Sequence, residues 1–157
     1  MNRAEYAIPD EAAMDRFGRA LAEILPTKCV VALIGTLGAG KTRLVRAMAQ
    51  AWQVPLAEIG SPTFVLCREY QGTRTAYHLD TYRLSDESEL LDLGFEELLE
   101  TDATVIVEWA DRVRGCLPKD LLQIEIEPLS ESARRVILTE QGELSGVTER
   151  IDWPIAD

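Results

Sequence analysis

One stretch of this chain joins an apolar segment, a glycine-rich turn and an amphipathic segment without interruption. Residues 28–34, KCVVALI, form an apolar run rich in β-branched residues, which is typical of a strand buried on both faces of a parallel sheet. The turn over residues 35–42 is GTLGAGKT, and residues 42–53 then repeat apolar side chains at helical spacing. A strand, a tight loop and a helix in this order predict an α/β fold with a mostly parallel central sheet.

The glycine-rich turn has the spacing G-x-x-x-x-G-K-T, in the context that a phosphate-binding loop requires. Its glycines allow backbone N–H groups to turn toward a phosphate at the positive end of the following helix. Lys41 would reach the β- and γ-phosphates, and Thr42 would offer its hydroxyl to a magnesium ion that bridges them. The alternative is an ordinary strand-to-helix turn. The motif predicts nucleotide contacts from the whole loop: Gly35, Thr36, Leu37, Gly38, Ala39, Gly40, Lys41 and Thr42.

Two carboxylates follow apolar strands elsewhere in the chain. Glu108 ends the run 104–107, and Asp80 ends the run 76–79. Proteins with such loops hold the metal with an acidic residue at the end of a neighbouring strand, so both are candidates for metal or water contact. The alternatives are a surface carboxylate for Glu108 and a salt bridge to Arg83 for Asp80. Which of the two would orient an attacking water stays open.

Three further residues lie near these candidates in the sequence. His78 shares a strand face with Asp80, and packing is its expected role rather than catalysis. Thr63, in the turn 61–64, is either a threonine that senses a γ-phosphate or the hydroxyl cap of a proline-shaped turn. Trp109 is either a core anchor or an aromatic wall beside a nucleotide.

The remaining elements are predicted by periodicity and turn residues. A first helix over residues 10–25 has Asp10 as its N-cap. Further segments are a hairpin from 63–70 and 74–80, a helical stretch 86–100 broken at Gly94, a buried strand 104–108 and an antiparallel pair 121–127 and 134–140. Residues 141–157 have no clear pattern apart from Trp153 and are compatible with a loosely ordered tail. We therefore expect one domain, residues 1–157, with the P-loop NTPase fold: a three-layer α/β/α arrangement with an antiparallel hairpin portion.

Composition and charge restrict the function classes. With 46% hydrophobic residues in 157, the chain can bury a core of its own. The net charge of −11 disfavours autonomous binding of nucleic acid, because the phosphate backbone would be repelled. No apolar run reaches the roughly 18 residues of a membrane span, and the start has no export signal. The cysteines are odd in number and widely spaced, which predicts buried, reduced thiols in a cytoplasmic protein: Cys29, Cys67 and Cys116.

Five features together resemble the TsaE family, formerly called YjeE. They are GTLGAGKT, SPTFVLCREY, HLDTYR, the acidic strand end VIVEW and the short total length. The resemblance covers residues 8–140, and H-x-D-x-Y-R with S-P-T-F is far more specific than the phosphate loop alone. It implies a magnesium-dependent ATPase that works in bacteria with two partner proteins, TsaB and TsaD, in forming N6-threonylcarbamoyladenosine beside the anticodon of tRNAs. The chain would reach tRNA only through that complex.

The resemblance also implies roles for individual residues. ATP would lie on the phosphate loop with Lys41, magnesium would be held by Thr42 and Glu108, and Asp80 would be required for hydrolysis. The adenine would lie near Ile8, Asp10 and Glu11. Many relatives have a proline and a glutamate where this chain has residues 110–112, so only local loop contacts differ there.

ATP and magnesium would order the Thr63 and Asp80 segments against the partner. Candidate switch or partner contacts are Ser61, Thr63, Tyr82, Arg83 and Trp109.

Two other functions remain open from the residues themselves. A small-molecule kinase would share the phosphate loop, but such kinases usually need an arginine-rich lid and an acceptor pocket. Here a hairpin rather than a helical lid follows the second helix. A non-enzymatic module that binds nucleotide to fix a partner surface would show the same motifs. Turnover in the presence of partners discriminates between this module and a partner-stimulated ATPase.

Overall fold

A mixed β-sheet forms the centre of the fold in the computed structural model, which describes residues 2–60 and 66–155. Its seven strands within these residues run in the order β1-β7-β6-β2-β5-β4-β3. In chain order they are β1 (Arg3–Ile8), β2 (Cys29–Gly35), β3 (Cys67–Gln71), β4 (Thr75–Asp80), β5 (Thr104–Glu108), β6 (Leu121–Pro128) and β7 (Arg134–Gln141).

The four central strands, β6, β2, β5 and β4, are parallel, and antiparallel strands flank them at both edges. Strands β7 and β1 extend one edge, and β3 extends the other through the predicted hairpin with β4. The α/β fold is therefore confirmed. Strand β1 was not predicted. Only two of its six side chains, Tyr6 and Ile8, are buried, so the alternation of apolar and polar residues is too short to indicate a strand.

Helices cover both faces of the sheet. They are α1 (Glu11–Ile24), α2 (Lys41–Ala51), α3 (Glu87–Asp92), α4 (Phe95–Leu99) and α5 (Val147–Arg150), with 3-10 segments at Leu56–Glu58 and Ala110–Cys116. Helices α1, α2 and α5 pack in one hydrophobic cluster with Val31, Leu33 and Ile106. Helices α3 and α4 and the second 3-10 segment pack in the other cluster with Val105 and Val107. Adjacent residues of β5 thus face opposite layers, as in a three-layer arrangement.

Local signals place the helix ends where the sequence indicates them. Asp10 caps α1, and its Oδ1 accepts a hydrogen bond of 2.8 Å from the Ala13 N–H. Gly94 adopts a left-handed conformation, φ +84°, and separates α3 from α4. This is the break predicted within the helical stretch 86–100.

The segment after β7, for which the sequence suggests a loose tail, packs against the first elements of the chain. Val147 and Ile151 are buried in the cluster that contains α1. The Trp153 ring lies edge-on to Phe17 at 5.4 Å, and its Nε1 donates to the Ala7 carbonyl at 3.1 Å. Ile155 forms an isolated bridge to Tyr6 on β1. Residues 147–155 therefore complete one layer of the core and cover part of an edge strand.

The three cysteines are free thiols, as predicted, but the prediction that all three are buried is wrong, because Cys67 and Cys116 are only partly buried. Cys29 is buried, and this burial raises the pKa of its thiol to about 11. Within residues 2–60 and 66–155, no helix combines the length and the apolar character that crossing a membrane would demand.

Helices α1 and α2 are in close contact at Gly18. A Cβ at this position would lie 2.7 Å from the Ala47 Cβ and 3.2 Å from the Leu44 carbonyl oxygen. We expect Gly18→Val to lower the free energy of unfolding by about 1–3 kcal/mol, because the helices must separate. Urea unfolding measures the change. Arg19→Val is the matched control on the exposed face of α1, with an expected effect within about 0.5 kcal/mol. Equal losses in both variants would contradict this packing argument.

Candidate active site

The glycine-rich loop connects β2 to α2 in a conformation that its glycines permit. Gly38 and Gly40 have φ values of +80° and +114°, and Gly40 precedes the first residue of α2. A Cβ on Gly35 would lie 2.9 Å from the Ile126 carbonyl oxygen on β6. The first turn of a helix leaves backbone N–H groups without intrahelical partners. The loop therefore brings the positive end of α2 to the carboxyl ends of β2 and β6.

The Lys41 side chain lies inside this loop, only 5% exposed. Its Nζ donates to the carbonyl oxygens of Gly35 at 2.6 Å and Thr36 at 2.9 Å, and it lies 4.0 Å from the centre of the Trp109 ring. Burial lowers the pKa of the Lys41 ammonium, whereas the nearby carboxylates of Glu108, and then Asp80, act in the opposite direction. The loop carbonyls and the aromatic ring thus hold a cation beside the N-terminus of α2.

Thr42 and Glu108 meet at the ends of neighbouring elements. The Thr42 hydroxyl lies 3.1 Å from Glu108 Oε1 and 3.3 Å from Oε2. Glu108, the last residue of β5, is 2% exposed and lies opposite Leu33 of β2 in the parallel register. A hydroxyl and a carboxylate are the oxygen ligands that magnesium takes from proteins when phosphate oxygens complete its shell. These two residues therefore fit the metal that the sequence motif predicts.

Asp80 ends the adjacent strand β4, directly opposite Glu108 in the parallel register. Its Oδ1 accepts a hydrogen bond of 2.9 Å from the Tyr82 N–H, which turns the chain away from the sheet. Both strand-end carboxylates line the same cavity as the loop. They converge because carboxyl ends of parallel strands share one edge of the sheet.

This cavity has a volume of about 330 Å³. Four parts of the chain form its walls: the start of α1, the loop with α2, the adjacent ends of β4 and β5, and the turn between β6 and β7. Of the residues predicted to lie near the adenine, Asp10 and Glu11 line the cavity, whereas Ile8 is buried in the core and does not. Met14 belongs to the same core cluster and also lines the cavity. Its lining residues are Asp10, Glu11, Met14, Leu37, Gly38, Ala39, Gly40, Lys41, Thr42, Arg43, Asp80, Glu108, Trp109, Ser132 and Arg134.

Comparison with known proteins agrees with these features. The model of the family described as threonylcarbamoyl adenosine biosynthesis protein TsaE matches residues 8–136. The chain belongs to the TsaE family. A Haemophilus influenzae protein named tRNA threonylcarbamoyladenosine biosynthesis protein TsaE is 38% identical over 143 residues, which is 87% of this chain and 89% of that protein. The Bacillus subtilis protein of the same name is 38% identical over 114 residues, 72% of this chain and 70% of its own.

A solved structure supports the fold assignment. The crystal structure of YdiB from Bacillus subtilis superposes with a TM-score of 0.75 at 26% sequence identity, and the match covers 90% of this chain and 87% of that one. The mixed sheet with helices on both faces is therefore an arrangement found in a solved protein.

The candidate switch residues of the family resemblance are only partly covered by the described residues. Ser61 and Thr63 lie outside them. Tyr82 is 42% exposed, and its ring lies 4.8 Å from that of Trp109. The Trp109 ring lines the cavity beneath Lys41, so it forms an aromatic wall rather than a core anchor. Arg83 is exposed on the same turn as Tyr82.

Arg134, at the start of β7, is a site residue that the sequence analysis did not assign. Its Nε donates to the Ala39 carbonyl at 2.8 Å, and its Nη2 lies 3.3 Å from the Gly38 carbonyl. The same guanidinium donates to the Ser130 carbonyl at 2.8 Å and so ties the β6–β7 turn to the loop. No local pattern identifies this residue, because its partners in the loop are more than ninety positions away in the sequence.

Proposed function

We propose that this chain binds ATP with magnesium and hydrolyses it, as a nucleotide-driven component of the cytoplasmic machinery that forms N6-threonylcarbamoyladenosine in tRNA. The observation that carries the proposal is the convergence of four side chains on one cavity. Lys41, Thr42, Glu108 and Asp80 come from a helix start and two strand ends, and all four line it. A cation, a hydroxyl and two carboxylates beside a helix N-terminus are what phosphoryl transfer to water requires.

The loop and its lysine would hold the phosphates. The backbone N–H groups at the start of α2 and the Lys41 ammonium would contact the β- and γ-phosphate oxygens. In the structure, that ammonium donates hydrogen bonds to the carbonyl oxygens of Gly35 and Thr36. Thr42 and Glu108 would hold magnesium, which neutralises charge that develops on the phosphates when it is bound. The aromatic wall of Trp109 keeps water away from the buried face of the ammonium.

We assign the orientation of the attacking water to Asp80. Both oxygens of Glu108 already have partners, Thr42 on one side and the ring nitrogen of His78 on the other. Asp80 lies one strand farther from Thr42, and its backbone-bound Oδ1 fixes the carboxylate at the cavity. A carboxylate in this place can accept a hydrogen bond from water and direct its oxygen toward the phosphate.

The partners we propose are TsaB and TsaD, with tRNA reached only through their complex. The net charge of −11 supports this indirect route, since long-range repulsion opposes tRNA binding by the chain alone. The exposed Tyr82 and Arg83 follow Asp80 directly and form part of the rim. A change in the occupancy of the site would alter this turn and so a surface available to a partner.

Magnesium-dependent ATP hydrolysis tests the proposal, measured for the chain alone and with TsaB and TsaD from the same organism. We expect the partners to stimulate turnover and Asp80→Ala to remove the stimulation. Asp92→Ala, an exposed carboxylate on α3, is the matched control and should leave turnover unchanged. Absence of ATP binding would overturn the proposal. Transfer of phosphate to a metabolite faster than to water would instead identify a small-molecule kinase.

Arg134 provides a prediction about the loop itself. Arg134→Ala removes the charged hydrogen bonds to the carbonyls of Gly38 and Ala39, so we expect ATP binding to weaken by about 10-fold, or about 1.4 kcal/mol. Isothermal titration calorimetry measures the change. Arg135→Ala is the matched control, because that side chain pairs with Glu127 and Glu5 away from the cavity. Equal affinities for the Arg134 variant and the control would show that the loop holds its shape without the guanidinium.

A further inference from the structure

We propose that His78 is a positioning residue that holds Glu108 in the orientation needed to bind magnesium. This inference rests on the proposed function. The His78 Nε2 lies 2.5 Å from Glu108 Oε2, while the Thr42 hydroxyl lies 3.1 Å from Oε1 and 3.3 Å from Oε2 of the same carboxylate. A carboxylate is only an acceptor, so the ring nitrogen is the donor in this pair. The histidine thus fixes Oε2 and orients the carboxylate so that Oε1, which has no contact with His78, lies beside the Thr42 hydroxyl.

Burial makes this contact the determinant of the carboxylate's position. His78 and Glu108 are 1% and 2% exposed, so water does not replace a missing partner without a rearrangement of the core. Both residues occupy the carboxyl-terminal halves of adjacent parallel strands, β4 and β5. The strand pairing fixes their backbones, and the hydrogen bond then selects the rotamer of Glu108.

A second contact fixes the imidazole in turn. The His78 Nδ1 lies 3.2 Å from the Tyr70 hydroxyl, and the two rings are 5.9 Å apart. The oxygen of the same hydroxyl lies 2.7 Å from the Gly60 carbonyl oxygen. Three side chains from β5, β4 and β3 therefore form a buried polar chain, Glu108–His78–Tyr70, that runs from the proposed metal site to the backbone at Gly60. Removal of a group that hydrogen-bonds to a metal ligand and orients it typically lowers metal affinity by about 10- to 100-fold.

The test separates metal binding from nucleotide binding. Calorimetry measures the affinity for a non-hydrolysable ATP analogue in EDTA and then at increasing magnesium concentrations. For His78→Leu we expect the magnesium concentration at half-saturation to rise by about 10- to 100-fold, with the affinity in EDTA changed by less than about 3-fold. His78→Gln places an amide nitrogen near the position of Nε2 and should recover most of the magnesium dependence.

Two variants on neighbouring residues serve as controls. Tyr70→Phe removes only the outer contact, so we expect a smaller shift in the same direction. Tyr77→Phe lies on the same strand as His78 with its hydroxyl near Glu69, and it should match the wild type. Circular dichroism on each variant verifies the fold.

Each result has a distinct meaning. Equal loss of affinity with and without magnesium in both His78 variants would assign the histidine a merely structural role and overturn the inference. Unchanged magnesium dependence in His78→Leu would also overturn it, and would leave the proposed ATPase intact. A wild-type chain without magnesium-dependent nucleotide binding would overturn the proposed function, and this inference with it.

Discussion

Replacement of Lys41 by alanine is expected to lower ATP turnover by at least about 100-fold. The Lys41 side chain is 5% exposed and its ammonium lies between the carbonyls of the loop and the Trp109 ring. The two arginines that line the same cavity, Arg43 and Arg134, are bound to Asp15 and to the carbonyls of Gly38 and Ala39, so neither replaces this ammonium. It is the group that would balance charge on the γ-phosphate as the bond to the leaving oxygen breaks. Steady-state hydrolysis with the partner proteins present measures the effect.

Two further variants sharpen this result. Lys41→Arg keeps the charge but not the shape, and the space between Gly35, Thr36 and Trp109 suits a single ammonium, so we expect little recovery. Lys28→Ala removes an exposed lysine that precedes β2 and should leave turnover unchanged. Full ATP turnover by Lys41→Ala would show that the assigned site is wrong.

Replacement of Glu108 by glutamine is expected to separate metal binding from nucleotide binding. The variant keeps the shape of the side chain but loses the charge that would hold magnesium, so we expect magnesium-dependent turnover to fall by about 100-fold or more. In EDTA the expectation has the opposite sign. The carboxylate lies 3.1 Å from the Thr42 hydroxyl, where it would repel a bound phosphate in the absence of metal, so its neutralisation should leave nucleotide affinity unchanged or increase it.

Asp80→Asn provides the contrast for this experiment. If Asp80 orients water, its amide variant should lose turnover and keep magnesium-dependent binding of nucleotide, unlike Glu108→Gln. Glu127→Gln removes an exposed carboxylate at the end of β6 and controls for net charge. Loss of metal dependence in the Asp80 variant, with retention in the Glu108 variant, would exchange the two roles. Calorimetry and hydrolysis assays on the same preparations decide between the assignments.

Local sequence patterns determined much of this protein. The β2–loop–α2 unit is predictable because its glycines, its apolar run and its helical spacing are contiguous in the chain, and each acts over a few residues. The same holds for the Asp10 cap and the break at Gly94. Strand-end positions alone also indicated Asp80 and Glu108, since the carboxyl ends of parallel strands meet at one edge.

Tertiary structure alone decided the rest. Strand β1 is stabilised by its pairing with β7, which is far away in the sequence. Trp153 and Ile155 pack because they contact Phe17 of α1 and Tyr6 of β1. Arg134 reaches the loop, and His78 reaches Glu108, across separations of 95 and 30 residues. Such contacts depend on strand order and side-chain direction across the sheet, which no periodicity along the chain encodes. The sequence therefore indicated the candidate residues for the chemistry, and the sheet decided which other groups contact them.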